Sequence, residues 1–99
     1  MMQPVRSEYA SDPDYEELIA DFVAVMPERI SELELVLGQK AHDELKRKAH
    51  QLKGAGGGYG FPELSLLAAQ VESACRENRM DDILELTAEL ISYLRRISV

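Results

Sequence analysis

The residues best suited to chemistry lie between Lys46 and Gly60, in a stretch that combines a histidine, several cations and a run of glycines. One of the chain's two histidines is here, as are five of its six glycines. Placed on a helix, positions 41–59 carry one apolar stripe, formed by Ala41, Leu45, Ala49, Leu52, Gly56 and Tyr59. His50 lies roughly 140° away from that stripe. Its imidazole is therefore predicted to face water.

The predicted neighbours of His50 are cations on one side and glycines on the other. They lie three, four or seven residues away along the helix: Lys46, Arg47, Lys53, Gly54 and Gly57. Positive charge disfavours the protonated imidazole and so favours the neutral, nucleophilic form. The same cations would stabilise an anion formed there through charge-assisted hydrogen bonds, and the glycines would admit a large partner. The pattern indicates a phosphoryl acceptor.

These neighbours are not equally informative. Lys53 is the expected partner of the phosphoryl oxygens, and Gly54 and Gly57 are expected to keep the docking surface clear. Lys46 and Arg47 either take part in docking or only keep the helix soluble. The second histidine, His42, is expected to be an ordinary solvated side chain.

A family resemblance supports this interpretation. Ala49-His50-Gln51-Leu52-Lys53-Gly54, followed by Gly60, Leu64 and the Val71-Glu72 pair, resembles the signature of histidine-containing phosphotransfer (HPt) domains. The resemblance extends over about residues 14–97. It implies a four-helix bundle that accepts a phosphoryl group on His50 from a receiver-domain aspartate and passes it to another. Gln51, the residue after His50, is also assigned to the phosphoryl-stabilising or docking residues.

The sequence departs from the family pattern at Glu72. Some family members have a glutamine twenty-two residues after the histidine, hydrogen-bonded towards it, whereas this chain has a glutamate there. Whether Glu72 contacts His50 is left open by the sequence.

The hydrophobic periodicity predicts an all-α fold, an antiparallel up-down-up-down four-helix bundle. We expect a flexible N-terminal tail at residues 1–11 and the bundle at 12–99. Asp12-Pro13 is the predicted start of the first helix, because an aspartate can cap and a proline suits the first helical position. Pro27 removes a hydrogen bond within this helix, so the helix is either kinked or split there.

The other helix ends are also marked in the sequence. Gly38 is expected to close the first helix, Pro62 to open the third, and Asp81 to cap the fourth. The glycine-rich end of the His50 helix has two interpretations. It stops near Gly54, or it persists to about Tyr59, with Gly56 permitting close packing inside; we favour the second.

Composition restricts the classes of function. The 99 residues carry a net charge of −7, yet positions 40–53 have a local charge of +3. An acidic chain is a poor general binder of nucleic acid, whereas a local basic patch suits an acidic protein partner. No apolar run approaches the ~20 residues of a membrane span, and the start lacks a signal-peptide core. We expect a cytoplasmic monomer in which Cys75 is a buried small hydrophobe.

Other site classes do not fit. The glycines lack the Gly-Lys-Ser/Thr ending of a nucleotide loop, and neither histidine belongs to a Glu-x-x-His metal motif. The chain has no room for an ATP-binding kinase domain, so it is expected to be a carrier rather than an enzyme. Phosphoryl transfer needs a metal ion. Because this chain shows no acidic metal pocket, it is expected to hold no cofactor, with Mg²⁺ supplied by the receiver partner.

Two alternatives to the phosphorelay carrier stay open. The first is a histidine phosphoacceptor domain served directly by a chemotaxis-type kinase. The second is a plain helical adaptor whose His50 is never modified.

Overall fold

The computed structural model describes residues 3–99, and in this range five α-helices account for most of the chain. They are α1 (Glu16–Ala24), α2 (Met26–Gly38), α3 (His42–Gly58), α4 (Pro62–Arg76) and α5 (Met80–Arg96). Helix α2 packs against α3 and α5, and α4 packs against the same two helices. This closed ring of neighbours is the predicted four-helix bundle, with α1 and α2 together in the place of its first helix. None of the helices within residues 3–99 is long and apolar enough to cross a membrane.

The division between α1 and α2 confirms the predicted interruption at Pro27. The helices are separated at Val25, and the proline is the second residue of α2. A proline has no N–H to donate to the carbonyl four residues earlier, here that of Val23, and its ring crowds that carbonyl. The helix therefore breaks just before the proline.

The predicted start of the first helix at Asp12-Pro13 is wrong by about three residues. The carboxylate of Asp12 accepts a hydrogen bond from the backbone N–H of Asp14 at 2.9 Å. This is the bond of a helix cap, but the turns that follow it are closed over three residues, by bonds from Tyr15 N–H to the Asp12 carbonyl and from Glu16 N–H to the Pro13 carbonyl. Regular helical bonding starts instead from the carbonyl of Tyr15, which accepts from the N–H of Ile19, and α1 begins at Glu16.

Helices α2, α3 and α4 end in the same way, with one residue in the left-handed conformation. These residues are Lys40, Gly60 and Asn78, with φ of 56°, 83° and 55°. In each case the next N–H bonds to a carbonyl five residues back, as in the bond from Arg79 to Ala74 at 3.0 Å. This is the hydrogen-bond pattern of a Schellman motif. Helices of the bundle therefore reverse direction within short, well-defined connections.

Two predicted helix ends are corrected by this pattern. Gly38 is the last residue of α2 rather than its left-handed terminator, which is Lys40. Asp81 does not cap α5. The residue before α5 is Arg79, whose backbone N–H makes the bond to Ala74 that ends α4. Asp81 instead lies in the first turn, where its negative charge still suits the helix N-terminus.

The core includes the predicted stripe of α3. In α3, Leu45, Ala49 and Leu52 are at most 5% exposed, and the apolar stripes of the other helices meet them. The buried residues of the other helices include Val36, Ala74, Thr87, Ile91 and Tyr93. Cys75 is buried as predicted, and burial raises the pKa of its thiol.

The glycine-rich end of α3 is helical through Gly58, as we favoured. Gly56 is buried against α4, where an added Cβ would lie 2.6 Å from Ser65 Oγ and 2.9 Å from the carbonyl oxygen of Phe61. The hydroxyl of Ser65 also donates to the carbonyl of Lys53 at 2.7 Å. The missing side chain thus lets α3 and α4 approach closely and exchange a hydrogen bond.

The segment assigned to a tail, as far as residues 3–11 are described, makes specific contacts with the bundle. Val5 pairs with Ile97 in an isolated parallel bridge. Ser7 is buried and its hydroxyl donates to the carbonyl of Tyr59, while Glu8 N–H donates to the carbonyl of Gly60 at 2.8 Å. These bonds satisfy carbonyl groups at the end of α3. The division at residue 12 stays a prediction; residues 1 and 2 lie outside the described range.

Candidate functional site

His50 lies in the middle of α3, on the surface predicted for it. Its side chain is 65% exposed, whereas the flanking stripe residues Ala49 and Leu52 are buried. The core thus fixes the rotation of the helix, and that rotation presents the imidazole to solvent.

Glu72 answers the question that the sequence left open. It extends from α4, where Val71 and Ala74 are fully buried, and its own side chain is 10% exposed. One carboxylate oxygen, Oε2, lies 2.7 Å from His50 Nδ1. The other, Oε1, accepts a hydrogen bond from Lys53 Nζ at 2.8 Å. A single carboxylate therefore contacts His50 and Lys53, two of the predicted site residues on α3.

The charge state of Glu72 follows from these contacts. The hydrogen bond from Lys53 is the largest influence and lowers the pKa of the Glu72 carboxyl, although partial burial opposes it. The hydrogen bond with His50 lowers the same pKa further. Glu72 is thus ionised at neutral pH, and an ionised carboxylate can only accept hydrogen bonds. Nδ1 of a neutral His50 must then carry the proton, which leaves the lone pair on Nε2.

The predicted cations are present, but most are already engaged in ion pairs. Lys53 is paired with Glu72, and Arg47 is paired with Glu44 one turn earlier on α3. Lys46 and Arg47 line a shallow surface pocket together with Asp43, His50 and Glu72. The surroundings of His50 are therefore a mixed network of both signs rather than a ring of free cations.

Arg76 belongs to this network and was missed in the sequence. Its Nη2 lies 3.7 Å from Glu72 Oε2, one turn along α4. The signal was available, because an arginine four residues after a glutamate on a helix lies beside it. This spacing relates Arg76 to the site only because Glu72 itself contacts His50, which the sequence left open.

The predicted access glycines lie next to His50 and are open. Gly54 has no heavy atom within 4 Å of the position where a Cβ would be, and Gly57 meets only Ser65 Oγ, at 3.9 Å. Both glycines are exposed. The surface of α3 at Gly54 and Gly57 is thus bare backbone.

Gln51 has a different location from the other predicted residues. It is exposed and lines a cleft of about 300 Å³ between the α1–α2 arm and α3. The apolar side of this cleft includes Phe22, Leu52 and Tyr59, and its polar side includes Lys48, which is paired with Glu32 at 3.2 Å. Gln51 is therefore beside the histidine in sequence but belongs to a neighbouring surface.

Residues 3–99 hold no group of three or more His, Cys, Asp or Glu side chains placed to bind a metal ion. Two of the acidic side chains near His50 are paired with basic ones, Glu72 with Lys53 and Glu44 with Arg47.

The family relationship agrees with this geometry. Residues 17–98 match the family model of the Hpt domain, whereas comparisons with curated proteins and with solved structures gave no significant match. Hpt domains act in histidine phosphotransfer within phosphorelays, as carriers of the phosphoryl group rather than as enzymes, and they interact with receiver domains. Because the match covers most of the chain and the helical bundle is the one this family implies, the chain belongs to the Hpt domain family.

Proposed function

We propose that this protein is a phosphocarrier in which Nε2 of His50 accepts a phosphoryl group from a receiver-domain aspartate and passes it to the aspartate of a second receiver. The observation that supports this proposal most strongly is the exposure and hydrogen bonding of the His50 imidazole. The His50 side chain is 65% exposed, and its Nδ1 is hydrogen-bonded to the ionised carboxylate of Glu72 at 2.7 Å. This arrangement leaves Nε2 as the nucleophilic nitrogen.

The transfer step needs no base on this chain. The lone pair of Nε2 forms a bond to phosphorus while the aspartyl O–P bond breaks, and its electrons return to the aspartate as a carboxylate. The Nδ1 proton stays between the imidazole and Glu72 throughout. In the reverse sense, the same ring donates the group to the next aspartate.

Lys53 is the proposed phosphoryl-stabilising cation. It follows His50 by one turn, about 5–6 Å away at the Cβ atoms, and its ammonium already lies in the site on Glu72. A flexible lysine can redirect that ammonium to the phosphoryl oxygens and act there as a point charge. Its effect is expected to grow when a docked receiver excludes water and lowers the local dielectric.

The docking surface proposed for the receiver includes the bare backbone at Gly54 and Gly57 on one side of His50, and Lys46 and Arg47 on the other. These glycines offer no side chain to obstruct a partner, and the two cations complement an acidic receiver pocket. Gln51 would contact the partner from the neighbouring cleft. The Mg²⁺ that phosphoryl transfer requires would be bound by the receiver, and this chain would act as a cytoplasmic monomer.

A transfer assay tests the proposal. A panel of receiver domains from the same host, charged with labelled phosphate, is mixed with the wild-type protein, with His50→Gln and with His42→Gln. We expect rapid loss of label from at least one receiver to the wild type and to His42→Gln. The label should be acid-labile and should move on when a second, unphosphorylated receiver is added. His50→Gln should take up none.

Each alternative has its own outcome. Label that every receiver retains, together with phosphorylation of His50 by a chemotaxis-type kinase and ATP, would favour the kinase-served domain. No labelling of His50 by either route would favour the unmodified adaptor. Uptake of label by His50→Gln would remove His50 as the site.

A further inference from the structure

The contact between Glu72 and His50 has consequences for the phosphorylated protein as well as for the free one. Once Nε2 carries a phosphoryl group, Nδ1 is the remaining nitrogen of the ring that can gain or lose a proton. With the proton, the ring is a phosphoimidazolium cation; without it, the ring is neutral and Nδ1 has a lone pair. The group that faces Nδ1 decides between these two forms.

An ionised carboxylate can face only one of them favourably. It accepts a hydrogen bond from a protonated Nδ1, but against a lone pair it would place two acceptors 2.7 Å apart. An amide is different, because its oxygen can accept from the protonated nitrogen and its NH₂ can donate to the lone pair. Glu72 is therefore selective for the protonated ring in a way that a glutamine at the same position would not be.

The other charges around His50 act in the opposite direction. On α3 they are Lys46, Arg47 and Lys53, with Asp43 as the acidic member, and on α4 Arg76 lies beside Glu72. Cations outnumber anions in this set, and they disfavour a positively charged ring. Glu72 is the group in hydrogen-bond contact with Nδ1, and at 10% exposure its charge is less screened than those on the surface.

We infer that Glu72 is a positioning residue that keeps Nδ1 of phosphorylated His50 protonated at neutral pH, and that it thereby sets the phosphohistidine as a labile, readily donated form. The inference rests on the proposed phosphorylation of Nε2. When the N–P bond of the protonated ring breaks, its electrons go to Nε2. The leaving group is then a neutral imidazole that still carries the Nδ1 proton. The acceptor is the oxygen of an aspartate during transfer, or of water during hydrolysis.

This role also explains why the cycle needs no proton transfer. The free ring starts with its proton on Nδ1 against Glu72, and the phosphorylated ring keeps it there. A ring that lost this proton would have to expel an imidazolate anion, a far poorer leaving group. Glu72 thus favours onward transfer of the phosphoryl group over its retention on His50.

The experiment compares the wild type with Glu72→Gln, after both are phosphorylated on His50 with the small donor phosphoramidate. A charge-assisted hydrogen bond exceeds a neutral one by about 1 kcal/mol, which corresponds to about fivefold in rate. We expect the phosphohistidine of Glu72→Gln to hydrolyse more slowly at pH 7.5, with the difference rising to about fivefold at higher pH, where the protonated ring is the minor form in both proteins. The two rates should converge under acidic conditions, where both rings are protonated.

Asp43→Asn is the matched control, since it removes a negative charge from the same surface pocket without a contact to the imidazole. Its hydrolysis rate should stay within about twofold of the wild type. The protonation state of Nδ1 is read directly from ¹⁵N chemical shifts of the phosphorylated proteins. This second measurement needs the wild type alone, so it stands even if Glu72→Gln folds poorly.

The outcomes separate this inference from the proposed function. Equal lifetimes and pH profiles for the wild type and Glu72→Gln would overturn the inference, as would an unprotonated Nδ1 in the phosphorylated wild type at pH 7.5. Either result would leave receiver-to-His50 transfer intact. Conversely, a protonated Nδ1 with no transfer to or from any receiver would support the role of Glu72 and overturn the relay.

Discussion

Replacing Gly56 with alanine is a sharp test of how α3 and α4 pack. The added Cβ would lie 2.6 Å from Ser65 Oγ, 2.8 Å from Ser65 N and 2.9 Å from the carbonyl oxygen of Phe61. Two of these three atoms are backbone, so a rotation of the Ser65 side chain cannot relieve the clash. The helices would have to separate, and overpacking of this kind costs about 1–3 kcal/mol.

Gly54→Ala provides the matched control. No heavy atom lies within 4 Å of a Cβ at Gly54, and both glycines are inside α3. Alanine is favoured over glycine in a helix by about 1 kcal/mol, and this gain is common to both variants. The difference between the two variants therefore isolates the steric cost, which we expect to be about 2 kcal/mol.

The measurement is urea and thermal denaturation followed by circular dichroism. For a domain of this size, about 2 kcal/mol corresponds to a gap of roughly 8–16 °C in Tm. Gly54→Ala should unfold above the wild type and Gly56→Ala below Gly54→Ala by that gap. Equal Tm values for the two variants would refute the close approach of α3 to α4 at Gly56.

Four further predictions concern the site. His50→Gln should leave the free energy of unfolding within about 0.5 kcal/mol of the wild type by urea denaturation, because the ring is largely exposed; a larger loss would show a structural role. Lys53→Ala should slow transfer from a receiver by about tenfold, or about 1.4 kcal/mol of barrier, in rapid-quench assays. Lys53→Arg should recover part of the lost rate. Equal rates for the wild type and the two variants would show that Lys53 takes no part in the reaction. Gly54→Gln should slow the same transfer without unfolding the bundle. Gly38→Gln, at an equally open glycine on α2, should transfer at the wild-type rate. If Gly54→Gln also transferred at the wild-type rate, the receiver would dock elsewhere. The pKa of Glu72 is lowered in the folded protein, so its contribution to stability is fully present above about pH 4.5 and is lost as the pH falls below that value. Urea denaturation across this range should show a smaller loss of stability on acidification for Lys53→Met than for the wild type. An identical loss in the two proteins would mean that the Lys53 bond does not set the pKa of Glu72.

The parts of the fold that follow from periodicity were predictable. The stripe of α3 fixes both the burial of Ala49 and Leu52 and the exposure of His50, because one rotation of a helix decides all three. The persistence of α3 through its glycines was predictable in part. Their cost in helix propensity is visible in the sequence, whereas the compensating packing of Gly56 against Ser65 is a tertiary contact.

Helix ends were less predictable, because several local hydrogen-bond patterns compete for the same residues. Asp12 accepts from Asp14 the hydrogen bond that a helix cap accepts, yet the turns that follow are closed over three residues and regular α-helical bonding begins only at Tyr15. Asp81 is also of a residue type that caps helices, but the motif that ends α4 fixes where α5 begins. Single-residue preferences do not decide such cases, since the competing arrangements differ by little free energy.

The contacts of Glu72 could not be predicted from spacing alone. The residue lies twenty-two positions after His50 on a different helix, and its reach depends on how α4 is rotated and shifted against α3. That relation is set by Gly56 and by the buried residues around Val71, so it exists only in the packed structure. The departure from glutamine seen in the sequence became interpretable once the carboxylate was found at 2.7 Å from the ring.

The nitrogen that carries the phosphoryl group can be identified directly after transfer. The protein, labelled with ¹⁵N at histidine, is incubated with a phosphorylated receiver that it discharges, and the modified ring is identified by ³¹P–¹⁵N NMR. We predict phosphorus bonded to Nε2 of His50, with the proton on Nδ1. Phosphorus on Nδ1 of His50, on His42 or on no histidine would contradict the account.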